Sequence, residues 1–269
     1  MRGRRPPILI NWAGSKGRVA RLLCEMNMVK INSYHEPFLG SGAVYLAFAN
    51  AGLISGGSLS DLNPHLVNVF RAVQSHPEDI VAGLRMHALL DSDVHFSSVL
   101  GRLNTLRLAQ VPDGQSASDV IYLLSQSFHS GWYETLDGRI YMSRRQNGNQ
   151  FKPSYQEVVR AAALLGGARV TCRDFRESLQ DVAPGDFVFL DPPYLSTDDQ
   201  HDQQAYNSQR FNADDLMDLS GEMQRMVDLG AYVAFCWGEC VESIVPRTGV
   251  WVQSGRDSCW VSGPMLPLR

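Results

Sequence analysis

The sequence predicts an α/β fold: an open, mostly parallel sheet with an inserted, mostly helical subdomain that contains a hairpin. Three observations predict it. Short apolar runs of strand length pass through glycine- or proline-bearing turns, at SYHEPFLGSGAVYLAFANAG, SLSDLNPHLVNVFRAVQSHP and DFVFLDPPYLS, and the first two lead on into stretches of helical spacing. From about Glu78 to Ser127 apolar residues recur at three- and four-residue spacing, a helical pattern. The next segment, FHSGWYETLDGRIYMSRRQNGNQFKPSY, is rich in Gly, Arg, Asn and aromatics. Its dipeptides Asp137-Gly138 and Asn147-Gly148 favour tight hairpin turns, because glycine tolerates positive φ. The interruption divides the chain into a sheet-bearing domain, residues 1–77 plus 156–269, and an inserted subdomain, residues 78–155.

The elements follow in order. Leu9–Trp12 is a short apolar piece, and Lys16–Asn27 has helical spacing through Val19, Leu22 and Leu23. A strand, a glycine turn and a helix stopped by Gly52 come next. A second strand carries Asp61 at its end, and its helix begins near Asn63 or Pro64, where the missing N–H of proline costs no hydrogen bond. The polar stretch PDGQSAS is expected to break the helical region. After the hairpin, RVTC, DFVFL and AYVAFCWG read as strands alternating with helical stretches, and VWVQSGRDSCWVSG reads as a closing hairpin.

Composition bounds the function. The chain has 269 residues, 44% of them hydrophobic, enough to bury a large core. No apolar run reaches membrane-spanning length and the N-terminus lacks a signal-peptide apolar region, so a cytoplasmic protein is expected. Five scattered cysteines, Cys24, Cys172, Cys236, Cys240 and Cys259, read as reduced thiols. Cys236 and Cys240 lack a second pair at metal-ligand spacing, which favours packed thiols over zinc, and no metal is expected. A net charge of −4 excludes unselective coating of nucleic acid but not a local basic face. Residues 1–30 hold Arg2, Arg4, Arg5, Lys16, Arg18, Arg21 and Lys30 against Glu25 alone. Residues 139–176 hold Arg139, Arg144, Arg145, Lys152, Arg160, Arg169, Arg173 and Arg176 against Glu157 and Asp174. A solvated face would look the same.

Two motifs carry chemistry. In FLGSG, Gly40 and Gly42 occupy the first strand-to-helix turn, where a side chain would block a ligand from the backbone. Asp61 lies 21 residues beyond Gly40 at the next strand end, the usual place for an acid that binds ribose hydroxyls. The third glycine of a dinucleotide fingerprint is replaced by Tyr45, which fits a nucleoside cofactor without a pyrophosphate. The second motif is DPPY. Phe187–Leu190 reads as a buried parallel strand, and Asp191 falls where it emerges, on the edge at which ligands of open α/β sheets gather. Pro192 and Pro193 forbid helix and hold the backbone stiff.

With these pieces the chain resembles the Dam-type DNA adenine-N6 methyltransferases. The resemblance rests on NWAGSK (11–16), EPFLGSG (36–42), SDLNPHL (60–66), RDF (173–175), DPPY (191–194) and AYNSQRF (205–211). It implies a Rossmann-like methyltransferase sheet, S-adenosylmethionine as cofactor, duplex DNA as partner and residues 78–155 as the target-recognition insertion. A cognate restriction nuclease, the oligomeric state and the recognition sequence stay open. By this resemblance Asp191, Pro192, Pro193 and Tyr194 are catalytic. The Asp191 carboxylate and the Pro192 carbonyl would take the two N–H hydrogens of the target amine, and the Tyr194 ring would stack on the extruded base. Cofactor contacts fall to Trp12, Lys16, Glu36, Phe38, Gly40, Gly42, Asp61, Asp174 and Phe175. Lys16 would meet the cofactor carboxylate, Asp61 the ribose, and Asp174 and Phe175 the adenine. Trp12 equally reads as a core aromatic, Glu36 as a structural hydrogen bond, and Asp174-Phe175 as an ordinary strand end.

The insertion offers DNA contacts. Arg139, Arg144, Arg145 and Lys152 would meet phosphates or guanines, while Trp132, Tyr133 and Tyr141 would wedge or stack. The polar segment STDDQHDQQAYNSQRF has the composition of a mobile lid. Asn11 and Ser15 depart from the lysine and glycine usual in the family, and the insertion lacks the segment associated with GATC recognition. Cytosine-N4 transfer is the alternative chemistry, although Asp rather than Ser at 191 favours adenine. A DNA-binding protein that keeps the fold but no longer methylates is the other alternative.

Overall fold

The computed structural model describes residues 5–26, 30–106, 112–135, 137–146, 153–195, 211–238 and 242–262. Helix α1 (Gly17–Glu25) buries Val19, Ala20 and Leu23, following the helical spacing of its sequence. Strand β1 (Tyr34–Glu36) leads through a glycine turn into α2 (Ala43–Asn50), and Gly52, at φ +72°, follows its C-terminus. Strand β2 (Gly57–Asp61) leads into α3 (Pro64–Ser75). The Asn63 side chain caps this helix by accepting from the backbone N–H groups of His65 and Leu66, with Pro64 in the first turn.

The region after α3 is helical as expected, with α4 (Pro77–Leu90), α5 (Asp93–Thr105) and α6 (Gly114–Gln126). The polar break is shorter than expected. Asp113 caps α6, and Gly114 to Ser118 form its first turns. Every residue of α6 except Gln115 is buried, because small side chains let the helices approach closely. A Cβ on Gly83 of α4 would lie 2.1 Å from Ser118 Oγ. Buried Asp119 is satisfied by two bonds from Arg102, one from Gln115, and His87 at 3.0 Å. Burial opposes its charge, but these hydrogen bonds outweigh burial and hold its pKa below the ordinary value.

Strands β3 (Tyr133–Glu134) and β4 (Ile140–Tyr141) form the expected hairpin, with Gly138 at φ +78° in the turn. The second turn signal, Asn147-Gly148, lies outside the described residues. Then come α7 (Tyr155–Leu165), β5 (Ala168–Cys172), the short α8 (Phe175–Ser178), β6 (Phe187–Leu190), α9 (Ala213–Leu229), β7 (Tyr232–Trp237), β8 (Gly249–Ser254) and β9 (Asp257–Ser262).

The seven-stranded sheet has the order β5-β2-β1-β6-β7-β9-β8. Its first five strands are parallel, and β9 pairs antiparallel with both β7 and β8. Central β6 is buried along its whole length, as a parallel strand covered on both faces must be. Chain order reverses between β1 and β6, where Tyr34 pairs with Phe187 and His35 with Val188. This is the switch point at which open α/β sheets bind ligands. It brings the glycine turn after β1 beside the diproline segment after β6. One continuous apolar core runs from Leu9 and Tyr34 through Phe70 of α3 to Ile80, Val120 and Trp132 of the insertion. No helix among the described residues is long and apolar enough to cross a membrane.

Candidate active site

A cavity of about 610 Å³ opens at the carboxyl edge of β1, β2 and β6. Twelve of the thirteen residues expected for catalysis or cofactor binding line it: Trp12, Lys16, Glu36, Phe38, Gly40, Asp61, Asp174, Phe175, Asp191, Pro192, Pro193 and Tyr194. They come from five separate segments of the chain, and the switch point brings them together.

The glycine turn is held by Asp61. Its carboxylate accepts from the backbone N–H of Gly40 and of Asn63, both at 2.9 Å, so one side chain ties the turn to the start of α3. Burial raises its pKa, and these backbone donors pull the other way. Gly40 sits at φ +47°, and a Cβ there would lie 3.2 Å from the Trp12 ring. Gly42 is the exception to the expectation. It does not line the cavity. It starts α2 at φ +63°, where a Cβ would meet the Phe70 ring at 2.8 Å. Its glycine is required by packing and backbone conformation, not by approach of a ligand.

Glu36 is buried beneath the turn. Its Oε2 accepts from the Tyr34 hydroxyl at 2.8 Å and from the Tyr45 N–H at 3.2 Å. Burial pushes its pKa up to about 8, against the pull of both donors, and the negative Asp191 and Asp61 add to the rise.

Lys16 is placed differently from expectation. Its ammonium already has a carboxylate partner within the chain. It lies 3.0 Å from Asp191 Oδ1, donates to the Gly14 carbonyl at 2.8 Å, and stands 5.3 Å from the Tyr194 ring centroid. Burial opposes its charge, but Asp191 and Tyr194 outweigh burial and hold its pKa above the ordinary lysine value. Burial pushes Asp191 up to about 6, and Lys16 keeps it from rising further. The Tyr194 ring is mounted against Trp237 at a centroid distance of 5.2 Å and keeps 44% exposure, so it has an open face.

At the opposite end, Phe38, Phe175 and Phe211 form an aromatic wall with centroids 5.4 to 6.2 Å apart. Asp174 accepts from the Arg176 N–H at 2.8 Å and caps α8. The Arg176 guanidinium lies 4.4 Å from the Phe175 ring centroid and bonds to Asp174, Asp215 and Asp218. Sequence reasoning missed Arg176 and Phe211. The run ADDLMD in the first turns of α9 was the available signal, but its partner lies about forty residues away.

The residues expected to contact DNA divide. Trp132 is fully buried, donates from Nε1 to Glu134, and packs near Trp12 and His65, so it is a core residue and not a surface wedge. Arg144 bonds to Asp91 and Asp93 and fastens the hairpin to the α4–α5 corner, which removes it from the cations open to DNA. Tyr141 and Arg139 are exposed on the hairpin, while Tyr133 and Arg145 are half-buried. Lys152 and most of the expected lid, residues 196–210, lie outside the described residues, as does Cys240.

The family model of D12 class N6 adenine-specific DNA methyltransferases matches residues 12–233. The type II methyltransferase M1.LlaDCHI of Lactococcus lactis subsp. cremoris is 22% identical over 82% of this chain and 78% of its own. The retron Ec67 DNA adenine methylase of Escherichia coli is 23% identical over 80% and 72%. The type II methyltransferase M.MjaIII of Methanocaldococcus jannaschii is 24% identical over 82% and 81%. The family's target sets aside cytosine-N4 transfer, and a methyltransferase family of this fold implies S-adenosylmethionine. The matched span begins at Trp12, ends within β7, and contains the whole cavity wall; the chain belongs to the D12 class of N6 adenine-specific DNA methyltransferases.

Proposed function

We propose that this cavity holds S-adenosylmethionine along the edge of β1 and β2 and presents a flipped adenine to it at Asp191. One observation carries the reading: the glycine turn after β1 and the diproline segment after β6 line the same cavity, with the Asp191 side chain keeping 21% exposure toward it. The donor set fits the cofactor. Glu36 is a buried carboxyl with Oε2 committed to Tyr34 and Tyr45; an ammonium group beside it would favour its ionised form over the proton that burial otherwise retains. Asp61 stands at the strand end suited to a ribose, and the Phe38–Phe175–Phe211 wall beside Asp174 suits a purine with its amine. When bound, the cofactor supplies an electrophilic methyl group on sulfur.

The chain's own residues supply position. The lone pair of an adenine amine is delocalised into the ring, and two acceptors for its N–H hydrogens favour a nitrogen whose lone pair faces outward. Asp191 Oδ1 is engaged by Lys16, leaving Oδ2 for one N–H, and the Pro192 carbonyl, stiffened by Pro193, takes the other. The open face of Tyr194 stacks on the extruded base, worth about 1–3 kcal/mol. The exposed hairpin residues Tyr141 and Arg139, with Arg145 and Tyr133, face the duplex, and residues 78–155 act as the recognition subdomain. The test is transfer of labelled methyl to duplex DNA, followed by digestion to nucleosides. Label in N6-methyl-2′-deoxyadenosine that vanishes with Asp191→Asn supports the reading. Label in another base, or transfer that persists in the variant, overturns it.

A further inference from the structure

Duplex DNA carries dense negative charge and must be met by cations, yet this chain carries a net charge of −4. Much of its arginine is consumed internally. Arg144 serves Asp91 and Asp93, Arg176 serves Asp174, Asp215 and Asp218, and Arg169 serves Asp181. Two exposed arginines, Arg18 and Arg256, lie at the β8–β9 turn, whose Asp257 reaches toward Lys16. Arg18, exposed in the first turn of α1, lays its guanidinium across the β8–β9 turn: a Cβ on Gly255 would lie 2.8 Å from Arg18 Nη1. Gly255, at φ +70°, precedes Arg256, which is also exposed.

This turn is tied to the chemistry. Asp257 lies 4.0 Å from Lys16 Nζ, and Lys16 holds Asp191 at 3.0 Å. The Asp257 carboxylate is thus directed at the catalytic pair, and among the described residues neither Arg18 nor Arg256 has a carboxylate partner. The Arg18 guanidinium and the exposed Arg256 thus lie at one turn, and a phosphate there would attract both charges. Extruding a base demands firm hold of the strand beside it, and phosphate contacts supply that hold without reading sequence.

We propose that Arg18 and Arg256 form a phosphate clamp on the DNA strand that carries the target adenine. The proposal rests on the functional reading above and adds a contact surface outside the hairpin. The experiment compares the whole protein with Arg18→Gln, Arg256→Gln and the double variant, binding sheared genomic duplex DNA across a salt series. Each single variant is expected to lower the slope of log affinity against log salt by about 1, and the double variant by about 2. The KM for DNA rises, while kcat and cofactor affinity hold. Arg18→Lys, which keeps the charge, retains the slope. Arg21→Gln, which loses only its exposed partner Glu25, leaves the slope unchanged and controls for net charge. An unchanged slope and unchanged KM in the double variant overturn the clamp. Absence of label from DNA treated with the unmodified protein overturns the functional reading instead, and the salt slopes still decide the clamp.

Discussion

Lys16 sets its ammonium 3.0 Å from Asp191 Oδ1 and fastens itself to the Gly14 carbonyl at 2.8 Å, so the loop before α1 and the end of β6 meet through one ion pair. The pair has two consequences. It fixes one carboxylate oxygen, and it keeps a buried acid ionised at neutral pH although burial pushes its pKa up to about 6.

Transfer should therefore depend on pH with a defined sign. Asp191 accepts an N–H only when ionised, so kcat/KM should rise through about pH 6 and level off above it. Lys16 lowers the Asp191 pKa, so Lys16→Gln should move the inflection to higher pH. A pH–rate profile of both proteins checks this; an inflection that stays in place would separate Lys16 from the titration.

Asp191→Asn preserves the shape of the side chain but presents a donor where an acceptor is needed. Loss of kcat of roughly 10²–10⁴-fold is expected, the range for a positioned acid–base group. Cofactor affinity, measured by calorimetry, should stay nearly unchanged because the Asp191 partner is the target amine. Collapse of cofactor binding would place Asp191 in a structural role.

Glu36 should make stability fall with rising pH. Its folded pKa of about 8 lies above the ordinary 4.5, so the folded state keeps a proton that the unfolded chain releases between these values. The stabilisation is fully present below about pH 4.5 and is lost as pH rises through about 8. It amounts to a few kcal/mol on the order of one pKa unit's 1.4 kcal/mol taken several times. Glu36→Gln should remove this component, so its melting temperature, followed across pH without cofactor, should fall less steeply than that of the unmodified protein. Parallel curves would show that Glu36 does not titrate in this way.

Arg176→Ala removes the cation over Phe175 and the bridge from Asp174 to the first turns of α9. Cofactor binding should weaken by roughly tenfold, corresponding to about 1.4 kcal/mol, while the salt slope of DNA binding stays the same. Titration with cofactor checks the first and a salt series the second.

What the sequence made legible was local. Strand ends at Asp61 and Asp191, the cap at Asn63, the stop at Gly52 and the Gly255 turn all follow from residue types acting on their near neighbours. The sheet order then brought the motifs into one cavity by the switch-point rule. What stayed hidden depends on partners far along the chain. Trp132 sits in a Gly- and Arg-rich stretch that reads as surface, yet Trp12 and His65 close over it. Arg144 reads as a free cation until Asp91 and Asp93 are seen beside it. PDGQSAS reads as a loop because small polar residues usually mark one, but here they permit close packing of α4 against α6. The Arg176 cluster joins two segments that no periodicity connects.

The burial of α6 has a consequence for how such an enzyme could change its target. A helix enclosed on all sides cannot drift in sequence without repacking α3, α4 and α5 around it, so these helices behave as a frame that is inherited nearly whole. In the short ribbon at residues 133–141 Glu134 and Ile140 are held by the core, while the outward-facing Tyr141 and Arg139 are under no such restraint. If the ribbon meets the duplex as proposed, new specificities arise by rewriting its outward positions, and a graft between relatives should be cut at its base and not at the borders of the helical region.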